Sequence, residues 1–170
     1  MSQSFVQREV SESAFEYLVS EILTMKIPDR LNNEQIDETL YHQQRLDNIG
    51  YEIGYRHIEQ IAEYQKVLDT APLDIMKFIC KDFWEALFHK KIDKLQTNHR
   101  GVFVLSDYNF KWLERYASDD MNSKTAAVKL LHLPCGIVRG ALANLGYSSI
   151  VNADFNTLPS CTFNIRIKNV

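Results

Sequence analysis

Cys161-Thr162-Phe163-Asn164-Ile165-Arg166-Ile167-Lys168 alternates apolar and polar residues without a break. Successive side chains on a strand point to opposite faces of a sheet, so this stretch predicts a strand with one face on a core and one in water. That pattern belongs to an antiparallel sheet covered on a single side. Residues 148–155 predict its neighbour. Earlier, residues 91–98 and 102–108 flank His99-Arg100-Gly101, and Val102-Phe103-Val104-Leu105 is rich in strand formers. These features predict a β-hairpin. Between hairpin and final strands, residues 118–123 read as a polar surface loop. Residues 135–146 read as a helix with Ile137, Val138, Ala141, Leu142 and Leu145 inside and Gly146 as its C-cap. Residues 128–133 fit a strand or the first turns of that helix, and are assigned to the helix.

The first half is helical. Val10, Ala14, Leu18 and Ile22 recur at four-residue spacing, with Phe15, Val19 and Leu23 alongside. They predict a helix over residues 11–26 with a wide apolar stripe, ended by Pro28 and Asp29. A polar stretch at 31–33 follows. Ile36 and Leu40, then Leu46, Ile49, Ile53, His57, Ile58 and Ile61, mark a longer helix, broken near residues 41–44. Gly50 and Gly54 share one face of it. A glycine inside a helix costs about 1 kcal/mol, so the pair predicts close approach of another helix. Asp69-Thr70-Ala71-Pro72 supplies a cap and a first-turn proline for a third helix. Leu73, Met76, Ile79, Cys80, Phe83 and Leu87, widened by Phe78, Trp84 and Phe88, make that helix apolar nearly all round, which predicts a central position. Three helices, a hairpin, a helix and two strands give class α+β: one domain spanning residues 1–170, an antiparallel four-stranded sheet with helices layered on one face.

A chain of 170 residues can bury enough surface to be stable without disulfides or a metal. With 19 Lys and Arg against 22 Asp and Glu, the net charge of −3 argues against a phosphate-gripping protein and so against a nucleic-acid partner. Cys80, Cys135 and Cys161 are odd in number and widely spaced, which suits a reducing compartment. The first residues show no signal peptide, no apolar run reaches membrane-spanning length, Ser2 excludes N-myristoylation, and residues 167–170 are not a prenylation box.

Reactive chemistry is sparse. Gly50-Tyr51-Glu52-Ile53-Gly54 lies in a helical pattern and lacks the Gly-Lys-Ser/Thr ending of a phosphate loop, and no G-x-S-x-G elbow exists. Pro134-Cys135-Gly136-Ile137-Val138-Arg139-Gly140 reads as a helix start, where the dipole lowers a thiol pKa, but only three residues separate Cys135 from Arg139. A small core residue is the simpler reading of Cys135, as it is of Cys80. His132 and Cys135 make two metal ligands without a partner pair. His57 falls on an apolar stripe and His99 in the hairpin loop. Asp93 and Asp107 flank the hairpin, but no spacing pairs them for acid–base work. No catalytic residue, cofactor site or metal site is assigned.

Four blocks carry a resemblance. Leu73-Asp74-Ile75-Met76-Lys77-Phe78-Ile79-Cys80-Lys81-Asp82-Phe83-Trp84 resembles the third helix of TRAPP subunit 6. Lys91-Ile92-Asp93-Lys94-Leu95-Gln96-Thr97-Asn98-His99-Arg100-Gly101 resembles its hairpin, with Lys91 where Gln is common. Cys135-Gly136-Ile137-Val138-Arg139-Gly140-Ala141-Leu142 resembles a helix shared by the small TRAPP subunits, and Asn48-Ile49-Gly50-Tyr51-Glu52-Ile53-Gly54 a further family block. They stand in family order between residues 46 and 146.

The resemblance implies a structural, non-enzymatic subunit of the TRAPP tethering and Rab-GTPase exchange complex in ER-to-Golgi and Golgi traffic. It implies a cytoplasmic protein, peripheral on those membranes through the complex and without insertion of its own. It also implies pairing through the first two helices with the small TRAPP subunit that carries a palmitate. A homodimer is the alternative when the chain is isolated. The palmitate-bearing relative has a cysteine before its third helix; residues 65–72 here have none, so no acylation is expected there. The partner interface is expected at Phe15, Leu18, Val19, Ile22, Ile49, Tyr51, Ile53, Tyr55 and Ile58. Packing of the same residues within the monomer is the plain alternative. A different function, binding of a small molecule or acyl chain, predicts an apolar internal channel at Phe78, Ile79 and Phe83.

Overall fold

The computed structural model describes residues 11–25, 37–65, 71–98, 100–116 and 119–168. The predicted strands form one antiparallel sheet: β1 (Lys94–Thr97), β2 (Val102–Asp107), β3 (Ser149–Asp154) and β4 (Cys161–Ile167), in the order β1-β2-β4-β3. The alternation at residues 161–168 is realised. Cys161, Phe163, Ile165 and Ile167 are buried, and Asn164 and Arg166 are exposed. Register follows from that pattern, since a slip of one residue would turn the apolar set outward. Ile165 pairs with Phe103 on one side and Val151 on the other. The hairpin closes where Asn98 Oδ1 accepts the N–H groups of Arg100 and Val102, with Gly101 at φ +78°. His99 lies outside the described residues.

The third helix is the predicted central rod, with one irregularity. It runs as α3 (Pro72–Phe78), a π-helical stretch at Ile79–Phe83, and α4 (Trp84–Phe88). Its N-cap is Ala71, which makes no side-chain cap, so the start rests on Pro72 rather than on a polar cap. Within the π turn the Cys80 carbonyl accepts the N–H of Ile92 at 2.9 Å, tying the hairpin's entry strand to the rod. The rod is buried through Ile75, Met76, Ile79, Phe83, Trp84 and Phe88. The Trp84 ring lies 4.5 Å from Phe88 and 5.1 Å from Phe163.

The carboxylate of Asp107 is fully buried in this aromatic core. It accepts from Trp84 Nε1 at 3.0 Å, Lys90 Nζ at 2.6 Å and the Asn109 N–H. Such a charge is tolerable only with this many donors. Lys90 also reaches Asp93 at 3.1 Å, and Asp93 accepts the Tyr108 N–H. Burial works against the charged form of Asp93, but the Tyr108 N–H and Lys90 outweigh it and hold the carboxyl below its usual range. The two hairpin aspartates do converge, on a lysine that makes them a structural clamp.

Over β3 lies α5 (Met121–Asn144), capped by Asp120, which accepts from the N–H groups of Asn122 and Ser123. It takes in residues 128–133, settled as helix, and its start replaces the expected loop at 121–123. Gly146, at φ +89°, ends it: its N–H reaches Ala143 O, and the Tyr147 N–H reaches Leu142 O. Helix α2 (Glu38–Gln65) is continuous; the expected break at 41–44 is absent, and His42 there is buried. α2 and α5 touch backbone to backbone. A Cβ on Gly50 would stand 2.1 Å from Leu133 O, and one on Gly54 1.9 Å from Ile137 O. The contact is reciprocal, for Gly136 and Gly140 face Asp47 O and Tyr51 O as closely. Helix α1 (Glu12–Thr24) lies against α5, with Phe15 on Trp112 at 4.9 Å and Glu16 paired with Arg115. Val10, Pro28, Asp29, Ile36 and the segment 31–33 fall outside the described residues.

Helix α5 is long and apolar enough to cross a membrane by length and composition alone, although Lys124, Lys129 and Arg139 interrupt its apolar residues. Its most apolar window is 67% buried, as in the core helix of a folded domain.

Candidate functional site

The nine residues expected at a partner interface divide by depth. Leu18 (57%), Ile53 (43%), Tyr55 (41%) and Phe15 (37%) are exposed. Ile22, Ile49 and Tyr51 are half-buried. Val19 and Ile58 are core residues, at 8% and 0% exposure, and leave the surface set. Helical spacing explains the split. Ile58 lies one turn past Gly54, on the stripe that faces α5, whereas Ile53 and Ile49 border that stripe on one side and Tyr51 and Tyr55 on the other. The two tyrosine rings stack at 5.9 Å, and Arg139 lies 4.5 Å over Tyr51 while paired with Asp47. Tyr17, at 77%, and Leu40, at 49%, extend the exposed apolar surface on the same two helices. Sequence reasoning missed both: Tyr17 stands outside the apolar spacing of its helix, and Leu40 reads only as marking the first turns of its helix, before the expected break at 41–44.

The thiol reading fails on position and environment. Cys135 is in the middle of α5, where no free N–H groups gather, and burial pushes its thiol up to about 12. Cys80 is also pushed up to about 12, and Cys161 is pushed up too, each chiefly by burial. Such thiols stay protonated and inert at neutral pH. Among the described residues no three His, Cys, Asp or Glu side chains gather as a metal site. His57 packs against Phe83 at 6.0 Å; its Nε2 is buried without a hydrogen-bond partner, and burial lowers its pKa. Phe78, Ile79 and Phe83 are packed in the core.

Two half-open clefts flank β3. The larger, about 370 Å³, lies between α2 and β3 over α5, with Leu40, Gln44, Val128, His132, Val151 and Ala153 on its walls. The smaller, about 340 Å³, is bounded by Tyr51, Arg139, Ala143, Gly146, Ser148 and Ser149. Neither is lined by the three core residues of the expected acyl channel.

The sequence profile described as transport protein particle (TRAPP) component matches residues 15–168. The chain belongs to the TRAPP component family. Within it the likeness is to subunit 6. It is 37% identical to zebrafish (Danio rerio) trafficking protein particle complex subunit 6b, over 94% of this chain and 98% of the relative. It is 42% identical to the human subunit 6B over 74% of this chain and 78% of that one. The chain is thus a TRAPP subunit of the subunit 6 branch. Its fold is similar to that in a crystal structure of a trafficking protein particle complex subunit 3 from Naegleria fowleri covalently bound to palmitic acid. The TM-score is 0.66, at 14% identity, over 92% of both chains.

Proposed function

We propose that this TRAPP subunit is a non-enzymatic scaffold that heterodimerises, through the outer faces of α1 and α2, with the palmitate-bearing small subunit. In this reading it serves a tethering and Rab-exchange assembly, is cytoplasmic, and is held peripherally at ER–Golgi and Golgi membranes by that assembly. The observation that carries the reading is that Phe15 and Leu18 on α1, and Ile53 and Tyr55 on α2, are large apolar side chains left exposed. Exposed apolar surface of this kind is a signature of a partner site. The acyl group belongs to the partner in this reading: residues 65–72 hold no cysteine, and the three cysteines are buried.

Sedimentation velocity of the chain, alone and mixed with the palmitate-bearing subunit, tests it. The expected result is a one-to-one complex that Leu18→Asp and Ile53→Asp abolish while circular dichroism stays unchanged. A chain indifferent to that subunit would overturn the reading.

A further inference from the structure

The sheet order leaves β3 as an edge strand, and its hydrogen-bonding pattern says which groups are spare. The Lys168 N–H donates to Ser148 O at 2.8 Å. In an antiparallel pair such bonded positions recur every second residue, so Ile150, Asn152 and Asp154 also face β4 with their backbone groups. The β4 side agrees: Ile167 N–H donates to Gly101 O, so the odd residues of β4 are engaged with β2. Ser149, Val151 and Ala153 therefore direct their N–H and C=O groups away from the sheet. Their side chains point to the core face, where Ser149 and Val151 are each 8% exposed.

That free edge borders both clefts. Val151 and Ala153 line the larger one, Ser148 and Ser149 the smaller. The Asp47–Arg139 ion pair draws on one residue lining each. Ser149 Oγ is buried and has no hydrogen-bond partner. Such a group is normally satisfied, and its place on the wall of a cleft makes it a donor that a ligand atom entering there would satisfy. The outer wall of the larger cleft carries Leu40 and Val128, exposed at 49% and 48%. A row of unpaired backbone donors and acceptors beside an apolar recess is complementary to one kind of ligand, an extended polypeptide.

We propose that β3 accepts an extended segment of a partner polypeptide as a fifth strand of the sheet. The residue opposite Val151 places an apolar side chain between Leu40 and Val128. The residue opposite Ser149, two positions along the segment, offers an oxygen acceptor to Ser149 Oγ. The proposal rests on the chain's working as an assembly subunit, and it is independent of which partner covers α1.

Residue-resolved hydrogen–deuterium exchange, comparing the isolated chain with the purified assembled particle, is the test. In the isolated chain the Val151 and Ala153 amides should exchange fast, and in the particle about tenfold or more slowly, while Ile150 and Asn152 are slow in both. Ala153→Pro removes an N–H that the β3–β4 ladder does not use, so the chain should fold. In that variant the Val151 amide should stay fast in the particle. Covering of the edge by a helix would not depend on that N–H, so protection surviving Ala153→Pro would overturn the proposal. Equal exchange in both states would overturn it too, as would slow Val151 and Ala153 amides in the isolated chain. Sedimentation of Ala153→Pro with the palmitate-bearing subunit should match the unsubstituted chain, which separates failure here from failure of the α1–α2 pairing.

Discussion

The α2–α5 contact and the α3–α4 core hold this domain together by opposite means. In the first, four glycines let two helix backbones touch, and the contact works because side chains are missing. In the second, Trp84, Phe88, Phe110 and Phe163 fill the space between rod and sheet, and a buried aspartate fixes the largest ring. One region has no tolerance for an added atom, and the other has none for a removed one.

The sharpest way to break that contrast is Gly54→Ala. Its methyl would meet Ile137 O at 1.9 Å, a backbone atom that no rotamer change can move. The expected loss exceeds about 3 kcal/mol in urea denaturation, at the severe end for overpacking. Gly146→Ala is the control: open space surrounds that position, so the strain of φ +89° remains as the penalty, about 1–2 kcal/mol. Similar losses for the two would show that α2 can retreat from α5.

The aromatic core is probed by Trp84→Phe, which keeps a ring but takes the Nε1 donor from Asp107. The expected loss is about 1–3 kcal/mol, from a buried carboxylate short of one partner. An unchanged midpoint would mean that Lys90 and the Asn109 N–H suffice for Asp107.

The smallest effect lies where the two regions meet, at His57 on α2 against Phe83 on the rod. Burial lowers the folded-state pKa of His57, so its neutral form is favoured by folding. Its contribution is complete above about pH 6.5, the unfolded value, and is lost as pH falls towards the folded one. Thermal unfolding from pH 7.5 to 5 should show stability declining below about pH 6.5, with a shallower decline in His57→Leu. His132 is lowered too, by burial with Asp47 opposing, so the slope should not vanish. Identical slopes in the two proteins would remove His57 from the account.

Much of the fold was legible because its signals are local. Alternation at 161–168 encodes a strand and its buried face, and the glycine pair at 50 and 54 demands a close neighbour whatever that neighbour is. The continuity of α2 through residues 41–44 was not legible, since polar residues at 43 and 44 look like a gap until His42 is seen buried. Nor was the full depth of Cys135 in its helix: Pro134 suggests a start, the turns assigned at 128–133 move that start back only part of the way, and the helix begins at Met121. For the candidate surface the sequence supplied apolar residues and no depth. Val19 and Leu18 are adjacent apolar residues of one helix, yet one is core and the other exposed.

By itself, then, the sequence determined the element types, their order, the family and the need for α2 to meet another helix. These depend on periodicity and on backbone preferences that each residue carries with it. The tertiary structure alone decided which helix met those glycines, which apolar side chains stayed in water, and which strand was left at the edge with Ser149 Oγ unpaired. Those outcomes depend on contacts between residues up to about a hundred positions apart, as between Asp47 and Arg139, and no local pattern records them.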